Sequence, residues 1–192
     1  MIEPAAPPLP FEIRTVAIIG AGVAGRSFAL ACAAAGFLVV LEDVMPANLR
    51  RAEAEYADAS PRGRLQLAST VEEAVREADI AIDFVPDELE SKLEIFSLID
   101  RMAPPKTILC TPSYALSITD LASCVYRPDR CIAVRGELTT NAADIRLLHP
   151  TSAGKSILAA AENFLCELGL KVHTELDPDV PMLMKNSPAV PA

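Results

Sequence analysis

The sequence predicts a single-domain α/β fold, a doubly wound, mostly parallel sheet with helices on both faces, and three observations lead to it. An apolar run, Val16-Ala-Ile-Ile19, flows directly into a glycine-rich turn, Gly20-Ala-Gly-Val-Ala-Gly25, which opens a helical segment. A second apolar segment, Phe37 to Leu41, ends in the acid pair Glu42-Asp43. Beyond it, short apolar segments and amphipathic stretches alternate to about residue 174, the order expected of a parallel sheet with crossover helices.

Each element has its own signal. The first helix spans Val23 to Ala35, and a polar amphipathic stretch from Ala47 to Ala59 reads as a surface helix broken by Ser60-Pro-Arg-Gly63. A strand at Leu65 to Ala68 leads into Thr70-Val-Glu-Glu73, a capping-box pattern that opens a helix to Ala78. The strand Asp79 to Val85 stops at Pro86. The helix from Glu88 to Met102 places Leu89, Leu93, Phe96 and Ile99 on one face. Pro104-Pro105 ends it, and Thr107 to Thr111 forms the next strand. Ser117-Ile-Thr-Asp120 is a second capping-box pattern, and Arg130 to Val134 a sixth strand. A last helix, Ser152 to Leu168, carries Ile157, Ala161, Phe164, Leu165 and Leu168 on one side, either as core or in part as a subunit interface. A short strand, Leu170 to Thr174, closes the domain. Residues 1–12 are expected to be a flexible lead-in, 13–176 the folded domain and 177–192 a loose proline-containing tail.

In such sheets ligands lie beyond the strand C-termini. The loops after Ile19, Leu41, Val85, Thr111 and Val134 should therefore surround the site. The turn has the G-x-G-x-x-G spacing of a dinucleotide site. Gly20 allows the tight turn, Gly22 lets a pyrophosphate approach the backbone, and Gly25 lets the helix pack closely on the strand. The helix start at Val23 and Ala24 aims free N–H groups at the phosphates. Asp43, 18 residues after Gly25, stands where a carboxylate would hold the adenosine ribose hydroxyls and repel the extra phosphate of NADP. With Phe84 and Val85 at the end of the Asp79 to Val85 strand, these residues define a Rossmann-type NAD site.

Bulk properties narrow the partners. A net charge of −9 and a pI near 4.7 argue against nucleic acid and against an anionic membrane surface. The cysteines Cys32, Cys110, Cys124, Cys131 and Cys166 form no C-x-x-C pair, and most sit in apolar segments, as expected of reduced thiols in a cytoplasmic protein. With two histidines in the chain, no zinc cluster is expected. Met1 to Pro10 is proline-rich rather than built like a signal peptide, and no segment approaches eighteen consecutive apolar residues.

Four stretches together resemble the N-terminal NAD-binding domain of the 3-hydroxyacyl-CoA dehydrogenases: VAIIGAGVAGRSFALACAAAGFLVVLEDV, EEAVREADIAIDFVPDELESKLEIFSLID, APPKTILCTPSYALSITDLA and RPDRCIAV. The likeness runs from Arg14 to Val134 and continues more weakly to Asn186. It implies NAD as cofactor and Asp43 as the ribose ligand. It also implies Asp87 and Lys92 beside the nicotinamide half, although Lys92 also reads as an i,i+4 partner of Glu88. In that family a helical C-terminal domain follows and closes the cleft over the acyl-CoA; this chain is expected to lack it, so that the cleft is expected to stand open.

Where the family carries N-T-S-S-L-S-I, this chain reads Pro112-Ser-Tyr-Ala-Leu-Ser-Ile118, placing Tyr114 at the substrate serine. Where the family carries the catalytic histidine in G-M-H-F-F-N-P, this chain reads Ala133-Val-Arg-Gly-Glu-Leu-Thr139, placing Arg135 at the base. The orienting glutamate falls near Leu147, and Asn186 matches the family asparagine. Other residues could serve instead. Tyr114 could donate a proton to a carbonyl or simply lie at the surface, and His149 could reach inward or merely end a strand. Arg135 could clamp a carboxylate or phosphate, or pair with Glu137. The resemblance thus implies an NAD(H)-binding relative whose standard chemistry is lost. Two alternatives remain: an active oxidoreductase on a hydroxyacyl or small keto substrate, and an interaction module keeping only the fold. A homodimer or a partner subunit would suit any of the three.

Overall fold

The computed structural model describes residues 11–139 and 142–178. One eight-stranded sheet runs through it in the order β3-β2-β1-β4-β5-β6-β7-β8. The strands are β1 (Thr15–Ile19), β2 (Leu38–Glu42), β3 (Arg64–Ala68), β4 (Ile80–Asp83), β5 (Ile108–Pro112), β6 (Cys131–Arg135), β7 (Asp144–His149) and β8 (Lys171–Leu176). The helices are α1 (Val23–Ala35), α2 (Pro46–Ala59), α3 (Val71–Val75), α4 (Leu89–Met102), α5 (Ile118–Ala122) and α6 (Lys155–Glu167). The strand order reverses between β2-β1 and β4-β5, so a crevice opens at the C-terminal ends of β1 and β4.

The central strands are buried on both faces, which accounts for their near-continuous apolar sequences. Alternation along each strand divides the core into two layers. Val16, Ile18, Val39, Leu41 and Ile82 pack against α1 and α6, while Ala17, Ile19, Val40 and Ala81 pack toward α3, α4 and α5. Phe164 of α6 meets Phe28 and Phe37 edge-on in the first layer. The apolar face of α6 packs into the chain's own core through Ile157, Ala161, Phe164 and Leu165, with Leu168 partly buried.

Several expectations need correction. The element β7 was not foreseen. It runs antiparallel to β6 and parallel to β8, with Arg135 opposite Arg146. The helix from Thr70 is shorter than expected and ends at Val75. Only half of its capping box forms: the Thr70 hydroxyl accepts from the Glu73 N–H at 3.3 Å, while Glu73 reaches Ser69. At Ser117 the hydroxyl accepts from the Asp120 N–H. Helix α6 begins at Lys155, after Gly154. Phe11, placed in the lead-in, packs on the core. Asp177, placed in the loose tail, is buried. Its N–H donates to the His149 carbonyl at 2.8 Å, and its carboxylate accepts from the Ser117 hydroxyl and the Thr119 N–H. Cys32, Cys110 and Cys131 are buried free thiols, but Cys124 and Cys166 are exposed.

At the end of the sheet β8 is exposed along most of its length, and two of its polar side chains meet partners on β7. His173 lies 3.1 Å from Asp144, and Glu175 lies 3.2 Å from Arg146. Among the described residues no helix is long and apolar enough to cross a membrane.

Candidate functional site

The glycine turn is held as the sequence predicts. Gly20 sits at φ +99°, in the left-handed region, and donates its N–H to the Glu42 carbonyl at 2.9 Å. Gly25 lies so close beneath it that a Cβ there would come within 1.9 Å of the Gly20 carbonyl oxygen. Gly22 faces open space, with no atom within 4 Å of where a Cβ would stand. The three glycines therefore turn the chain, seat the helix and leave the approach clear. Val23 and Ala24, in the first turn of α1, are exposed. The N–H groups of Gly22, Val23 and Ala24 meet no acceptor among the described residues, leaving them free for phosphate oxygens.

Ala21, between the first two glycines, is gripped at both ends. Its N–H donates to the Asp43 carboxylate at 2.8 Å, and its carbonyl accepts from Arg26 Nη1 at 2.9 Å. Arg26 is aimed by Glu55 on α2, whose two carboxylate oxygens lie 3.2 Å from Nε. Sequence reasoning missed this clamp, although an arginine directly after the last glycine was its only signal. Arg26→Gln is expected to weaken NADH binding about tenfold with the fold kept, since a charge-assisted hydrogen bond contributes about 1.5–3 kcal/mol. Fluorescence titration beside a thermal melt would check this. Asp43 also accepts from the Met45 N–H at 2.7 Å and from Asn48 at 3.0 Å. Its carboxylate thus ties the glycine turn to the start of α2 at the place expected for a ribose ligand.

Two cavities flank this turn and share Phe84 as a wall. One, of about 530 Å³, is lined by Gly20, Gly22, Asp43, Val85 and residues of α4. The other, of about 430 Å³, is lined by Val23, Ala24, Ser27, Pro112, Tyr114 and the 136–139 loop. The structure therefore gathers Gly20, Gly22, Val23, Ala24, Asp43, Phe84 and Val85 around one cleft, with Gly25 beneath it.

The remaining candidates are placed differently. Lys92 is 1% exposed and lies under the cleft, its Nζ 2.6 Å from Asp83 on β4 and 3.2 Å from the Pro112 carbonyl. It neither reaches the cleft surface nor pairs with Glu88. Asp87 accepts from the Ser113 hydroxyl at 2.6 Å and from the Tyr114 N–H at 2.9 Å, and so fastens the loop after β5. Partial burial raises the Asp87 carboxyl, but these hydrogen bonds and the Lys92 charge outweigh it and hold the group below its ordinary value.

Arg135 stands at the end of β6, and of its two readings the pairing with Glu137 does not form. Its guanidinium donates from Nε to the Ser113 carbonyl at 3.2 Å and from Nη2 to the Leu116 carbonyl at 3.0 Å, while Glu137 accepts from Thr139. Tyr114 is 70% exposed and donates its phenol to the Gly136 carbonyl at 3.0 Å, bridging the loops after β5 and β6. His149 stands away from Arg135 along the neighbouring strand. Strand β7 descends from the cleft, so His149 lies three residues below Arg146, about 10 Å at strand rise, with Nδ1 beside the Pro150 carbonyl. Asn186 lies outside the described residues.

A parallel sheet with a glycine turn at its reversal point and an acid at the end of β2 defines a dinucleotide-binding domain. The family model for the 3-hydroxyacyl-CoA dehydrogenase NAD-binding domain matches residues 15–135, and the chain belongs to that family, with NAD as its cofactor. It is 34% identical to a probable 3-hydroxybutyryl-CoA dehydrogenase of Bacillus subtilis, over 64% of this chain and 48% of that protein. It is 30% identical to a 3-hydroxyadipyl-CoA dehydrogenase of Escherichia coli, over 83% of this chain and 36% of that one. The structure superposes on (S)-3-hydroxybutyryl-CoA dehydrogenase from Ralstonia eutropha with a TM-score of 0.76 at 25% identity, covering 86% of this chain and 64% of that one. The chain thus spans about half or less of the length of these two curated relatives.

Proposed function

We propose that this domain binds NAD(H) in the cleft divided by Phe84 and does not transfer hydride by the acid–base route of its relatives. Arg135 carries the reading. At the position that the resemblance assigns to the base stands a guanidinium that has no acceptor atom and already donates to two carbonyls. Loss of a positioned general base costs about 10²- to 10⁴-fold in rate. Replacing the substrate serine by Tyr114, whose phenol is turned to Gly136, removes a further donor worth about 10². The domain would then sense NAD(H) or supply its site to a larger assembly, with a second copy or a partner subunit closing the cleft.

The test is acetoacetyl-CoA reduction, followed as NADH absorbance at high protein concentration, beside NADH binding by fluorescence. The expected result is binding without turnover, and clear turnover would overturn the reading. Gly22→Asp separates binding from folding, because the site at Gly22 is open and its φ is −64°. That variant should melt like the wild type and lose NADH. A second reading, reduction of a small keto substrate or a hydroxyacyl-CoA, draws support from Tyr114, whose exposed ring lines the second cavity. It requires turnover with some carbonyl substrate that Tyr114→Phe removes.

A further inference from the structure

Strand β2 ends in a charge where its other buried positions are apolar. Glu42 is 4% exposed and alternates onto the face of Val40, toward α3 and α4, yet it lines the first cavity beside Gly20, Asp43 and Val85. Its backbone carbonyl is taken by the Gly20 N–H, but among the described residues its carboxylate meets no hydrogen-bond donor and no cation. Burial of a carboxylate without a partner is costly, and a protein tolerates it where the group is neutral or where a ligand completes it.

The surroundings favour the neutral acid. Across the sheet Glu42 is in register with Ile19 on one side and Ala68 on the other. From α3 and α4 the cavity receives Val71, Ser91, Ile95, Leu98 and the exposed Glu94. Of the remaining charges on α3, Glu73 is turned to Ser69 and Glu72 is exposed. Asp83, two strands away in the same row, is matched by Lys92, so that cation is already committed. The charges that share the cavity, Asp43 and Glu94, are negative. Burial, with Asp43 adding to it, pushes the Glu42 carboxyl up to about 7.

We infer that Glu42 takes part in cofactor binding as a protonated acid, donating its O–H to an acceptor on the adenosine half, so that NAD affinity depends on one proton. This rests on the NAD site described above. An ionised Glu42 would offer no donor and would add a third negative charge beside a ligand that brings two phosphates. Deprotonation therefore opposes binding, and binding draws a proton onto the free protein.

The test uses NADH and ADP-ribose, the latter carrying the adenosine and both phosphates without the nicotinamide. For wild type, Kd for each ligand should rise about tenfold from pH 6 to pH 8. Calorimetry at pH 7 in two buffers of different ionisation enthalpy should show uptake of about half a proton. Glu42→Gln, which keeps the shape and a neutral donor, should bind at pH 8 as the wild type does at pH 6, with no pH slope. The inference is overturned if the wild type shows no slope, if Glu42→Gln keeps it, or if only NADH shows it. Absence of NADH binding by the folded wild type at both pH values would overturn the cofactor site itself, and this inference with it.

Discussion

Gly25→Ala is expected to abolish NADH binding and to destabilise the domain by about 3 kcal/mol, the upper part of the range for overpacking. The added methyl would stand 1.9 Å from the Gly20 carbonyl oxygen and 3.1 Å from its carbonyl carbon. Both atoms belong to the backbone of the glycine turn, so no side chain can swing aside to make room. The helix must lift from the sheet or the turn must unfold, and either movement takes the free N–H groups at the start of α1 out of position. Chemical denaturation measures the stability loss, and fluorescence titration measures the binding loss. Gly22→Ala is the control, since its site is open and the variant should melt near the wild type. A Gly25→Ala protein that binds NADH with wild-type affinity would show that the turn has slack which this packing denies.

Lys92→Met is expected to cost about 3–5 kcal/mol, because it leaves a buried carboxylate without its cation. Asp83 is fully buried, its Oδ2 is without a hydrogen-bond partner, and the 2.6 Å contact to Lys92 is its ion pair among the described residues. Burial raises the Asp83 carboxyl, and Lys92 is the largest influence opposing it. Without the lysine the folded state holds Asp83 protonated, so its pKa stands further above the unfolded value. The variant's stability is then greatest in acid and falls as the pH rises through that folded pKa. The loss should accordingly be smaller at pH 5 than at pH 8. Replacing both partners, Asp83→Asn with Lys92→Met, should recover most of it. Thermal or urea unfolding of the three proteins at both pH values decides the matter. A single variant as stable as the wild type would show that the pair contributes nothing.

What could be read from the sequence, and what could not, follows from the range of each interaction. The glycine spacing, the apolar run before it and the acid after β2 are local patterns that report local geometry, so Gly20, Gly22, Gly25 and Asp43 fall where expected. The periodicity of α4 and α6 likewise gave the buried Phe96, Ile99, Phe164 and Leu165. Strand β7 escaped because Asp-Ile-Arg-Leu-Leu-His alternates imperfectly and follows no helix to announce it. With its direction unknown, His149 stayed a candidate. Lys92 was misread because its partner sits on another element, nine residues upstream. Arg135 was weighed against acids, whereas it binds backbone carbonyls, which leave no mark in a sequence. Glu42 was visible only as the companion of Asp43, and its burial emerges from strand alternation combined with the packing of α3 and α4.

The far end of the sheet bears on colloidal behaviour. An outer strand offers a ladder of N–H and C=O groups to any neighbouring chain, and a flat apolar one invites stacking. Strand β8 instead carries Lys171, His173 and Glu175 along its exposed length, with the latter two paired across to β7. A molecule approaching edge to edge would have to match charges of both signs in a fixed register before a ladder could form. The same row that finishes the sheet therefore works against the edge-to-edge pairing that would extend it.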